Sequence, residues 1–212
     1  MMSSRFLILL ALGLSQGLVS CSKKLNVQVG GMGDDSLSDN EFPPSAIAIK
    51  TYDQIYATYS VLTGVPRNTP NLANNFNLIK ASLPVSNELV TMNASIQLAN
   101  FKLAQLFCRE GMNNTTLRRT LYSPFNFDLS PNPTVAFTQN PGIKSELVKS
   151  LMAQFWGSGL ESTPENAEAE YLALFDTLVA GVASNQNNFN QTLSIMVGVC
   201  SSILAASPTI LF

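Results

Sequence analysis

The chain has 212 residues, of which 46% are hydrophobic and only 12% charged, about half the charged share of an ordinary soluble domain. That balance excludes a disordered chain and supports a packed core in one sizeable domain or two small ones, with Asn, Ser, Thr and Gln covering much of the surface. A formal charge of -2 without a basic stripe argues against nucleic acid as a partner, and the lack of any histidine excludes Ser–His or Cys–His catalysis and imidazole-bound zinc.

In chain order the first feature is a secretory leader over residues 1–20. Arg5 supplies a thin positive end, and Phe6-Leu7-Ile8-Leu9-Leu10-Ala11-Leu12-Gly13-Leu14 is an apolar run of secretory length, too short for a comfortable membrane span. The leader ends in Leu18-Val19-Ser20-Cys21, which resembles a lipobox. That resemblance implies diacylglyceryl transfer to the Cys21 thiol, cleavage before it and acylation of the new amino end. The expected address is the bacterial cell envelope, with the membrane held through a lipid anchor. Ser22 after the cysteine resembles the outer-membrane sorting pattern. The other reading is an ordinary secreted protein with a cysteine near its cleavage site.

Residues 21–50 read as the lipidated N-terminus and a flexible tether, rich in Gly30-Gly31, Asp34-Asp35 and Pro43-Pro44 and poor in large apolar side chains. A coil of about 25 residues averages roughly 25–30 Å end to end. With Cys21 carrying lipid, Cys108 and Cys200 remain. In an oxidising envelope they read as one disulfide, and the alternative is two separate buried thiols.

Residues 51–212 read as a helical domain. Thr51 with Gln54 forms a capping box ahead of Tyr52, Ile55, Tyr59 and Leu62, and Gly64 and Pro66 stop that helix. A short helix is expected over 72–81. Asn93 caps a longer one with Ile96, Ala99, Leu103, Leu106 and Phe107 on one stripe and Gly111 at its end. Asn114 begins another, to about Tyr122. Residues 123–140, punctuated by Pro124, Pro131 and Pro133, are the least helical, with a short extended piece near 135–137. Asn140-Pro141 and Thr163-Pro164-Glu165 each signal a helix start. Residues 185–191 read as a polar loop before a last helix over 192–206 that meets Pro208. The uncharged tail 185–212 has the composition of a candidate membrane span but reads as a central core helix, because of its Ser, Asn and Gln content, Pro208 and Cys200. The expected architecture is all-α, a bundle of six or seven short helices closed by one disulfide.

No catalytic constellation or metal site is expected, and no cofactor. Asp35, Asp39 and Glu41 read as a solvated acidic tether rather than a Ca²⁺ loop. Glu165, Glu168 or Glu170 with Asp176 could form a glycosidase-type pair, but acids in a helix's first turn need only its dipole to explain them. Arg109, Arg118 and Arg119 are the one basic cluster and the candidate contacts for an anionic glycan or lipid headgroup. Tyr52, Tyr56 and Tyr59 could face a partner, though aromatic residues at helical spacing are usually core. Asn93, Asn113 and Asn190 match a glycosylation pattern and read as caps and turns.

Several segments together carry a family resemblance. Thr51-Tyr52-Asp53-Gln54-Ile55-Tyr56-Ala57-Thr58, Leu62-Thr63-Gly64-Val65, Leu83-Pro84, Gln105-Leu106-Phe107-Cys108 and Cys200-Ser201-Ser202-Ile203-Leu204 resemble, in order and spacing, a helical region of proteobacterial envelope lipoproteins. Some of those proteins carry a LamG (concanavalin-like) domain after it. The resemblance implies a disulfide between Cys108 and Cys200 on a middle and a last helix. It implies no assigned activity, and the carbohydrate-binding role of the LamG domain is not carried over with the helical region. The sequence therefore points to a non-enzymatic envelope lipoprotein whose helical module binds a protein partner or joins a surface assembly. A module binding glycan, peptidoglycan or a small ligand is the alternative.

Overall fold

The computed structural model describes residues 50–83, 93–157 and 166–210, all within the unit Ser45–Phe212. The leader, Cys21, the tether and the Thr163-Pro164-Glu165 helix start lie outside the described residues. Among the described residues there is no strand, and the fold is all-α.

Helix α1 (Tyr52–Thr63) starts where its capping box puts it. The Gln54 N–H donates to Thr51 Oγ1 at 3.3 Å and the Thr51 N–H to Gln54 Oε1 at 2.7 Å. It ends on Gly64, whose φ of 71° is the left-handed conformation that glycine adopts without a Cβ penalty. Helix α2 (Pro70–Ala81) begins two residues before the expected start because Pro70 takes the first helical turn, where no N–H is needed.

Helix α3 (Ala94–Asn113) is capped by Asn93, whose Oδ1 accepts the Ile96 N–H at 2.9 Å. It runs two residues past Gly111. That glycine is not a stop signal: it lies buried inside the helix, and a Cβ there would sit 3.1 Å from Leu121 Cδ2. Helix α4 (Thr115–Leu121) follows at once, with Asn114 Oδ1 accepting the N–H groups of Thr116 and Leu117 at 3.0 and 3.1 Å.

Between α4 and the next helix, residues 135–137 are not extended. They form a wide helical turn, Thr134–Thr138, in which the Gln139 N–H reaches the Thr134 carbonyl at 2.9 Å. Pro133 pre-sets helical angles and Asn132 Oδ1 accepts the Val135 N–H at 3.0 Å, so the proline that looked like a breaker opens the turn instead.

Helix α5 (Gly142–Trp156) begins one residue after Pro141, without a side-chain cap from Asn140, and ends on Gly157 at φ 83°. Helix α6 is Ala167–Ala180. Helix α7 (Phe189–Leu204) starts three residues earlier than expected, because Asn188 rather than a later residue supplies the cap. Asn190 lies within its first turn and is not a cap. Helix α7 ends at Leu204, two residues before the expected end, and a single turn, α8 (Ser207–Ile210), follows and includes Pro208.

The core is organised about α3 and α7, the most extensively paired helices. Helices α1, α2 and α4 pack on α3, while α5 and α6 pack on α7 and on each other. Cys108 and Cys200, both fully buried, join the two central helices, with Cα atoms 6.0 Å apart and a sequence separation of 92. Along α7, Thr192, Ile195, Met196, Val199, Cys200, Ser201, Ile203 and Leu204 are all buried. Ser201 can be buried because its hydroxyl donates to the Val197 carbonyl one turn back. No described helix is long and apolar enough to cross a membrane.

Aromatic rings fill the two flanks. Tyr52 and Tyr56 stack on Phe76, with Tyr59 edge-on to Phe107. On the other side Phe125, Phe127, Phe137 and Phe175 pack ring to ring beside Tyr122. The three tyrosines of α1 are therefore core residues rather than a face for a partner. Their hydroxyls are also satisfied: Tyr52 donates to the Ala99 carbonyl, Tyr56 to the Arg67 carbonyl and Tyr59 to Asn100 Oδ1.

Candidate functional site

The basic cluster does not converge. Arg118 lies over the Phe127 ring, its guanidinium carbon 4.8 Å from the centroid. Arg119 reaches Asp128 at 3.6 Å with both side chains largely exposed, a pair worth well under about 1 kcal/mol. Both arginines of α4 are thus turned to the loop that follows it. Arg109 stands exposed on α3, with no ion pair among the described residues. It falls instead on a solvent stripe of α3, since positions 98, 101, 102, 105 and 109 recur at helical spacing. Leu98 is 54% and Phe101 37% exposed, and Lys102 and Arg109 are exposed too, so the stripe is apolar at one end and cationic at the other.

The acids weighed as a glycosidase-type pair do not face each other across a cleft. Glu168 accepts a hydrogen bond from Ser145 Oγ at 2.9 Å and pairs with Lys149 at 3.4 Å, and Asp176 pairs with Lys144. Glu168 and Asp176 of α6 are thus engaged by α5, which explains them as links between two helices, while Glu170 is exposed. Glu165 lies outside the described residues. Among the described residues no group of three or more Cys, Asp or Glu could hold a metal ion.

Among the described residues, two shallow hollows stand out on the surface. One, of about 200 Å³, lies between α5 and α6 and is lined by Lys149, Met152, Ala153, Trp156, Gly157 and Glu168. Trp156 is fixed there because its indole N–H donates to the Ile203 carbonyl at 3.1 Å and its ring meets Tyr171 edge-on at 5.8 Å. Burial, with Glu170 adding to it, pushes the Tyr171 phenol up to about 12. The other hollow, of about 280 Å³, lies where the turn after α1 meets the end of α3, and is lined by Val65, Pro66, Thr69, Glu110, Asn113 and Leu117. Both are smaller than the roughly 300–1,000 Å³ of pockets that enclose a small molecule.

A buried polar node closes the opposite end of the central pair. Asn100 takes the Tyr59 hydroxyl at 2.5 Å and donates to the Ala205 carbonyl at 3.1 Å. Thr209 Oγ1 covers the Leu204 carbonyl and Trp156 the Ile203 carbonyl, so the last carbonyls of α7 find donors from three other segments. The node is structural. By contrast, the Tyr122 and Thr192 hydroxyls and Arg118 Nε are buried without a hydrogen-bond partner among the described residues.

Neither hollow was legible in the sequence, since each is formed by residues brought together from separate segments. The available hint was that α3, the longest helix among the described residues, has no basic residue in its last turn. No family model, no curated protein and no solved structure matches this chain.

Proposed function

We propose that this chain is a non-enzymatic lipoprotein of the bacterial cell envelope, anchored through Cys21 at the outer membrane, whose helical domain docks on a protein partner. The observation that carries the docking reading is the outer stripe of α3. Leu98 and Phe101 stand in solvent on a helix whose other side is fixed to α7 by the disulfide. Rigid presentation of apolar side chains lowers the ordering cost of association. The lipobox-like Leu18-Val19-Ser20-Cys21 and the family resemblance of residues 51–212 support the envelope address. A buried disulfide fits an oxidising compartment.

A photo-crosslinking residue at position 101, in cells expressing the chain, tests this reading. It should yield one dominant adduct with an envelope protein, and Leu98→Ser should weaken that adduct at least about tenfold, the loss expected for one well-buried apolar anchor. Absence of any adduct at 101, or an adduct indifferent to Leu98→Ser, contradicts it.

A second reading, a glycan or small-ligand module, is favoured by one observation. Trp156, the only tryptophan in the chain, lines a hollow together with Lys149 and Glu168, an arrangement suited to stacking and hydrogen-bonding a sugar ring. Saturable change of tryptophan fluorescence on adding peptidoglycan fragments would favour that reading over the first.

A further inference from the structure

The 280 Å³ hollow at the end of α3 carries a negative charge that no ion pair among the described residues balances. Helix α3 is 20 residues long, and its C-terminal end carries the negative pole of the helix dipole. Cations ordinarily gather there, yet the last turn holds no basic residue. Glu110 adds a full negative charge at the same place. Its Oε1 accepts Asn71 Nδ2 at 2.8 Å, and no ion pair involves it among the described residues. None of the nearby arginines forms an ion pair with Glu110 among the described residues. Arg118 lies on Phe127, Arg109 belongs to the solvent stripe of α3, and Arg67 is exposed in the turn before α2. The opposite wall of the hollow is apolar, formed by Val65, Pro66 and Leu117. The wall is also shaped by a fixed backbone, since Gly64 with φ 71° brings the turn within 3.2 Å of Leu117 Cδ2, measured from where a Cβ would stand.

A slot with an apolar side, a half-buried carboxylate and a helix C-terminus matches one kind of group, an aliphatic stem ending in an ammonium. We infer that this hollow receives a lysine side chain of the partner protein, its methylenes lying along Val65, Pro66 and Leu117 and its ammonium donating to Glu110 and Asn113. The inference rests on the partner-docking reading and names the group the partner offers. A lysine ammonium carries three donors and no acceptor, so it can serve the carboxylate, the Asn113 amide oxygen and water at once. A guanidinium is planar and wider, and suits a bidentate fork better than a slot with one free carboxylate oxygen.

Titrating n-pentylammonium into the purified native chain, with backbone amide shifts as the readout, tests the site without any partner. Saturable shifts are expected at Val65, Thr69, Glu110, Asn113 and Leu117, with affinity on the order of millimolar for so small a ligand. n-Pentanol, of the same shape without the charge, should bind about tenfold more weakly or worse. Glu110→Gln, which keeps an acceptor for Asn71, should lose a similar factor for pentylammonium while leaving pentanol unchanged. Equal binding of pentanol and pentylammonium, no saturable shift at these residues, or a Glu110→Gln chain that binds as before would each overturn the inference. Such a failure would leave the crosslink at position 101 standing, so the two readings fail separately.

Discussion

At the scale of single residues, three buried polar atoms without partners among the described residues are the weak points of the core. The Tyr122 hydroxyl is the clearest, because the ring itself is fully buried and packs edge-on to Phe127. An unsatisfied buried hydroxyl costs about 1–3 kcal/mol, so Tyr122→Phe should raise stability by roughly 1 kcal/mol in a urea titration; a loss of stability would mean the hydroxyl has a partner after all. The same burial has a pH consequence. Burial holds the phenols of Tyr52, Tyr59 and Tyr122 above their usual value, and Tyr171 at about 12. In the unfolded chain these groups ionise near about 10. Their neutral forms therefore favour the fold fully below about pH 10, and that contribution is lost as pH rises through the folded values. Melting temperature should fall as pH is raised above about 10, and fall less steeply in Tyr122→Phe; an identical alkaline decline in both proteins would remove Tyr122 from the account.

Among the helices, the start signals that depend on a residue's own side chain and the next turn were legible in the sequence. Thr51, Asn93 and Asn114 each cap the helix they precede. Asn114→Ala should cost about 1 kcal/mol, and Gly64→Ala, at φ 71°, about 1–2 kcal/mol, both read from denaturant midpoints. What could not be read are features set by a distant neighbour. Gly111 has the residue type of a helix stop, but it is glycine because Leu121 of α4 lies against it. Residues 135–137 read as a short extended piece, but Pro133 and Asn132 wind residues 134–138 into a turn that delivers Phe137 between Phe125 and Phe175. The hollow at Glu110 is of the same kind, since it exists only because the turn after α1 folds over the end of α3. Conversely, the α1 tyrosines read correctly as core because helical spacing of aromatic rings already implies a buried face.

Across the whole molecule, the central α3–α7 pair and its disulfide hold two flanking groups of helices together. Closing a loop of 92 residues removes unfolded-state entropy equivalent to at most about 4–5 kcal/mol, so Cys108→Ala with Cys200→Ala should lower the urea midpoint more than any cap substitution does. The uncharged C-terminal sequence is explained at this scale too: α7 is apolar because helices surround it. The cationic-apolar stripe of α3 and the acidic hollow at its end give one helix two surfaces of opposite charge, which suits oriented docking. That role requires the domain to stand on the envelope. Mass spectrometry of unreduced peptides from the chain extracted from native envelopes reads the address and the staple together. The account predicts a first residue at Cys21 bearing acyl mass, and one peptide pair joined through Cys108 and Cys200. A chain that keeps residues 1–20, or one whose position-21 thiol is free, would contradict it.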